Sequence, residues 1–92
     1  MTRNALLLHA QDNCVVALAD IRQGDRVDYE YGSVEAAADV ALGHKLAIAA
    51  IPVGGKVLKY GAVIGSATSA IAPGDHIHTH NLASDYITGY HH

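Results

Sequence analysis

Gly74 to Asn81 reads GDHIHTHN, which sets His76, His78 and His80 at every second position. Imidazoles ligate metals, donate hydrogen bonds to anions and exchange protons near neutrality, so this is the stretch best equipped for chemistry. In an extended strand the three would share one face, with Ile77 turned inward as an anchor. A rise of about 3.3 Å per residue separates neighbouring imidazoles by about 6.6 Å and the outer two by about 13 Å. Two adjacent histidines can converge on one ion at bonds of about 2.0–2.1 Å. Three cannot unless the strand bends sharply, so the spacing assigns at most two of His76, His78 and His80 to any one metal. A further ligand would come from Asp75 or from a second chain. The other readings are an acid–base and hydrogen-bonding wall for an anion, or a polar strand face in solvent.

Further polar groups are sparser. Gly43-His44-Lys45 sets an imidazole and an ammonium after a turn, a natural contact for a carboxylate or phosphate. Gln11-Asp12-Asn13 reads as a hairpin turn. Cys14 opens an apolar run and is expected buried and inert, and Tyr29, Tyr31 and Tyr60 as partly buried rims. The sequence holds no phosphate loop, no dinucleotide fingerprint, no Cys-x-x-Cys and no Ser/His/Asp set.

The elements that position these groups come from one phrase used four times: an aliphatic residue, two residues, glycine, two residues, an aliphatic residue. Its copies are Ile21–Val27, Val40–Leu46, Ile51–Val57 and Ile71–Ile77. Each reads as a strand end, a tight turn on glycine and a new strand start, with Pro52 and Pro73 at positions turns accept. Between the turns lie short β-like segments: ALLLHA, CVVALA, RVDYEY, KLAIAA, KVLKY, AVIGSAT and HIHTH. SVEAAADVAL has helical composition, yet Val34, Ala36, Ala38 and Val40 alternate, which favours strand or irregular structure. The expectation is one all-β domain over residues 1–92.

Bulk composition bounds the rest. The chain has 92 residues, half of them hydrophobic, with no Trp or Phe. So small a core of small aliphatics anticipates a partner or a homo-oligomer. Net charge is −3 and the six Lys and Arg are scattered, which argues against nucleic acid. Cys14 is alone, so no internal disulfide forms, in keeping with a reducing cytoplasm. No apolar run reaches membrane-spanning length. The terminal His91-His92 pair, native or the remnant of a tag, is left out of the chemistry.

LLLHAQDNCVVALADIRQGDRV, GHKLAIAAIPVGGKVLKYGAVIGSAT and IAPGDHIHTHNL together resemble the N-terminal SAF domain of the altronate/galactarate dehydratase family. They are equally similar to the small subunit of sulfolactate sulfo-lyase. The likeness spans about residues 5–83; the tail ASDYITGYHH fits no pattern. It implies a β-clip fold of short bent hairpins. It also implies a small, cytoplasmic accessory subunit that lines or closes the active site of a larger catalytic subunit and is inactive alone. The reaction would be β-elimination from a sugar-acid carboxylate, with a divalent metal such as Fe2+ held mainly by that larger partner. Carried onto this chain, the motifs make His78, His80 and Lys45 the catalytic contacts and His44, His76 and Asn81 the substrate-binding ones. Ala41 departs from the proline common in the family, which loosens the turn before His44. The rival readings are a sulfo-lyase small subunit and a non-catalytic binding or self-assembling β-clip module.

Overall fold

The computed structural model describes residues 3–84; the His91-His92 pair and most of the unassigned tail lie outside them. Among the described residues there is no helix, and nine short strands alternate with turns. They are β1 (Ala5–Leu6), β2 (Cys14–Ala17), β3 (Arg26–Tyr29), β4 (Gly32–Glu35), β5 (Lys45–Ala47), β6 (Lys56–Lys59), β7 (Ala62–Ala67), β8 (His76–Ile77) and β9 (Leu82–Ala83). Each expected segment supplies a strand, shorter than its apolar run. SVEAAADVAL enters β4 and then runs irregularly to Val40, without helix.

A central antiparallel sheet has the order β1-β2-β5-β8, flanked by the β3–β4 hairpin and by a β6-β7-β9 sheet. Alternation along the central strands divides the apolar residues between two cores. Val15, Ala17, Ala5 and Leu46 pack with Ile21, Val27, Ala36 and Val40 of the first lobe. Cys14, Ala47 and Ile77 pack with Ile51, Val57, Ala67 and Ile71 of the second. Val15 pairs with Leu46 and Cys14 with Ala47 across β2 and β5, so each pair serves one face. The central sheet is buried on both sides by two lobes of the same chain.

The four phrases resolve into two copies of a larger unit. Ile21 bridges Val40 in the first lobe as Ile51 bridges Ile71 in the second. Gly24 N donates to the Ala36 carbonyl, and Gly54 N to that of Ala67; Gly43 N donates to Ala17, and Gly74 N to Ala47, all at 2.8 Å. Asn4 and Asn13 are matched clamps. Each amide accepts from a lobe N–H (Asp28 or Leu58) and donates to the carbonyl two residues earlier (Arg26 or Lys56). All four phrase glycines have positive φ, from 80° to 92°, the conformation in which glycine alone avoids a steric cost.

Cys14 is buried as expected, and its thiol donates to the Leu58 carbonyl at 3.3 Å. Burial, then the Asp12 carboxylate, push it up to about 11, which leaves an unreactive thiol. The tyrosine rims are a correction. Tyr29 packs against the first core, but Tyr31 and Tyr60 sit at two-residue hairpin tips with their side chains exposed. At the second tip it is the backbone that is held, by Tyr60 N and Gly61 N donating to the Asp12 carboxylate.

Candidate functional site

The GDHIHTHN stretch is not an extended strand. β8 stops at Ile77, and His78 to Asn81 form a turn. Asn81 makes it. Its backbone N–H donates to the His78 carbonyl at 3.0 Å, its Oδ1 accepts from His78 N at 2.9 Å, and its Nδ2 donates to the His76 carbonyl at 2.9 Å. Ile77 stays fully buried as the inward anchor. The turn folds His80 back, so its ring centroid lies 5.5 Å from that of His76 rather than two strand repeats away. His76 and His78 stack at 5.5 Å with an interplanar angle of 9°.

A fourth imidazole arrives from the matched turn of the first unit. His44 N donates to the Ala41 carbonyl, and the His44 carbonyl accepts from Ala17 N, which fixes His44 at the mouth of β5. β5 pairs with β8 so that Leu46 lies opposite His76 and Lys45 opposite Ile77. Side-chain alternation then places His44, Leu46 and His76 on one face. His44 stacks on His76 at 5.2 Å and on His78 at 4.9 Å, and His44 Nδ1 lies 3.1 Å from His76 Nε2. One nitrogen from each of His44, His76 and His78 falls within 4.8 Å of the others. The convergence of three imidazoles thus comes from a bend and a neighbouring strand, and not from the row of three in sequence.

The same pleat separates Lys45 from this group. Expected beside His78 and His80, Lys45 shares a face with Ile77 on the other side of the sheet, because adjacent strand residues point oppositely. Asn81, expected to touch substrate, is 6% exposed and spends both ends of its amide on backbone; it shapes the site. Asp75, considered as a metal ligand, accepts from Ala72 N with Oδ2 and so caps its own turn. The glycine turn of the fourth phrase sets the histidines in place through Gly74, whose N–H and carbonyl join Ala47 to Ala37 of the first lobe; a Cβ there would fall on the Glu35 carbonyl.

Burial first, then the His44, His78 and His80 imidazoles and last Lys45, hold the His76 pKa below the usual histidine value. A neutral imidazole with a free lone pair is the form that ligates a metal. Three imidazole donors suit ions of the zinc, iron or nickel kind, whereas calcium and magnesium ask for oxygen.

Residues 3–85 match the family model described as the altronate/galactarate dehydratase SAF domain. The chain is 47% identical over 78 residues to altronate dehydratase of Escherichia coli (strain K12), covering 85% of this chain and 16% of that protein. It is 41% identical over 84 residues to altronate dehydratase of Bacillus subtilis (strain 168), covering 90% of this chain and 17% of that protein. The chain thus spans about a sixth of the length of these relatives. It is also 44% identical over 46 residues to (2R)-sulfolactate sulfo-lyase subunit alpha of Paracoccus pantotrophus, covering 50% of this chain and 69% of that subunit.

Proposed function

The chain belongs to the SAF-domain family of altronate/galactarate dehydratases, and from that premise we propose that it is the small accessory subunit of a sugar-acid lyase. One observation carries the reading: His44, His76, His78 and His80 gather at one end of the central sheet, with His78 and His80 exposed. Support for a larger partner comes from size, since the matching part of the altronate dehydratases is a sixth of each. Leu18 and Leu42 add to it. Both are exposed and are tied beside His44 by the Gly43–Ala17 hydrogen bond, an apolar margin that a covering subunit would bury.

The reaction is loss of water from a hydroxy acid: a base takes the proton beside the carboxylate, a carbon–carbon double bond forms, and the neighbouring hydroxyl leaves with a proton as water. His78 and His80 are the groups this chain offers, as hydrogen-bond donors to the carboxylate and as carriers of the departing proton. His44 and His76 hold the inner wall, and Asn81 fixes the turn that aims both exposed rings. Lys45, on the opposite face of the sheet, is left for a carboxylate of the partner. A divalent metal, which the family implies and which His44, His76 and His78 could hold, would supply Lewis-acid polarisation when bound.

The sulfo-lyase relative favours a second leaving group, sulfite, because it is itself a small separate subunit. The test is reconstitution. The chain is combined with the matching large subunit, and elimination from altronate, galactarate and sulfolactate is assayed with and without it. Activity that needs both proteins, and falls with His78→Gln and His80→Gln, is expected. Full activity of the large subunit alone sinks the proposal.

A further inference from the structure

We propose that this chain itself holds a divalent transition metal, bound by His44, His76 and His78, in place of a metal confined to a larger partner. The donor atoms are already gathered: His44 Nδ1 and His76 Nε2 are 3.1 Å apart, sharing a hydrogen bond that a bound ion would replace, and all three nitrogens lie within 4.8 Å. Two nitrogens bound to one ion at about 2.0–2.1 Å stand about 2.9 Å apart at a right angle and about 3.3 Å apart in a tetrahedron. The observed pair sits between these values. Rotation of the His78 ring, which is exposed, brings the third donor in.

The backbone holds the three in place before any ion arrives. His44 is fixed by the Ala17 and Ala41 bonds, His76 by its pairing with Leu46, and His78 by the Asn81 amide. Such preorganisation separates a built site from three mobile surface histidines. The ion pairs Arg3–Glu30 and Arg26–Asp28 lie elsewhere, and no carboxylate belongs to the convergent set. The imidazoles face one another.

Three neutral donors leave the charge of a divalent ion uncancelled, and three ligands leave coordination positions open. The ligand class that completes such a centre is an anionic oxygen donor, and a 2-hydroxycarboxylate chelates best. His80, 5.5 Å from His76 and outside the convergent set, is placed to hydrogen-bond whatever fills those positions. This last step rests on the lyase reading; metal binding by the three histidines does not.

The test uses the full, untagged chain stripped with chelator and titrated with Co2+ by visible absorption and with Zn2+ by calorimetry. One ion per chain is expected. Loss of a supporting residue outside the ligand set weakens metal affinity 10–100-fold, so His44→Gln, His76→Gln or His78→Gln should each weaken it by about 100-fold or more. His80→Gln and the double substitution His91→Ala/His92→Ala leave it unchanged. Gluconate added to the Co2+ protein shifts the cobalt spectrum. Failure to bind one ion, or equal weakening by His80→Gln or by the terminal pair, overturns the metal site. Intact metal binding with a spectrum indifferent to gluconate overturns only the hydroxy-acid step. His78 keeps the test decisive should His76→Gln fail to fold, since His78 is exposed.

Discussion

The two repeated units share their backbone hydrogen bonds almost bond for bond, yet their chemistry has moved apart. The first lobe, residues 20–41, carries six carboxylates against two arginines, a net −4; the second, residues 50–71, has two lysines and no carboxylate, a net +2. The matched turns differ more. Gly43-His44-Lys45-Leu46 continues through Ala47 as β5, whereas Gly74-Asp75-His76-Ile77 breaks off into the His78–Asn81 turn. Turn geometry and alternation of faces set the fold, and both units satisfy them equally. Functional placement depends on the residues just beyond each turn, where one unit stays in the sheet while the other bends.

The glycines of the two turns allow the strongest test of that difference. Gly43 and Gly74 have φ of 85° and 92°. A Cβ at Gly43 meets nothing within 4 Å, while at Gly74 it falls on the Glu35 carbonyl and crowds Ala37 N. Gly43→Ala should cost about 1–2 kcal/mol, the steric penalty of a left-handed alanine. Gly74→Ala adds a backbone clash and the loss of the Gly74–Ala37 bond, so a deficit of about 3 kcal/mol or more is expected. Urea denaturation of both variants measures the gap. Equal losses would mean that the second turn is no more tightly docked than the first.

A smaller effect separates shaping the site from holding the lobe. Asn81→Ala removes the amide that ties His76 to His78 and should cost about 1–3 kcal/mol for the buried groups left unpaired. Asn13→Ala removes a similar pair of hydrogen bonds, one accepted from Leu58 N and one donated to the Lys56 carbonyl, and should cost a similar amount. Only the Asn81 variant should change the imidazole resonances in nitrogen-detected NMR and weaken Co2+ binding. If both variants disturb the imidazoles alike, the cluster depends on general stability and not on the turn.

These contrasts also show how far the residues themselves can be read. The phrase repeat and the β-period predict the all-β turn-rich chain, because glycine turns and alternation are local properties. The paired grouping of the phrases is hidden, since it is written in hydrogen bonds between segments distant in sequence, such as Gly54 with Ala67 and Gly74 with Ala47. Four histidines of the site are visible by type. Their geometry is not, because HIHTH reads as an extended strand and Asn81 as a contact, whereas Asn81 is the bend itself. Lys45 is misplaced by sequence for a similar reason. Adjacency to His44 in sequence means opposite faces in a strand.

The smallest effect tests the divergence at a single matched position. Lys45 of the first unit corresponds to His76 of the second, and the fold treats the two differently. Burial comes first in holding the His76 pKa below the ordinary value, followed by His44, His78 and His80, with Lys45 across the sheet contributing least. In the unfolded chain the same imidazole titrates near 6.5. Between the two values the unfolded chain holds a proton that the folded chain lacks, so acid favours unfolding. The contribution is present above about pH 6.5 and is lost as pH falls through the lowered folded value. In chelator-treated protein, nitrogen-detected NMR should show His76 titrating below a free histidine. The urea midpoint should fall on acidification from neutrality, and His76→Gln should flatten that fall without abolishing it. Carboxylates such as Glu30, whose pKa is lowered chiefly by accepting from Leu7 N, contribute at lower pH. A His76 that titrates at the free value would mean that the second unit leaves its imidazole as open to water as any surface side chain, and the contrast between the two turns would then be one of backbone alone.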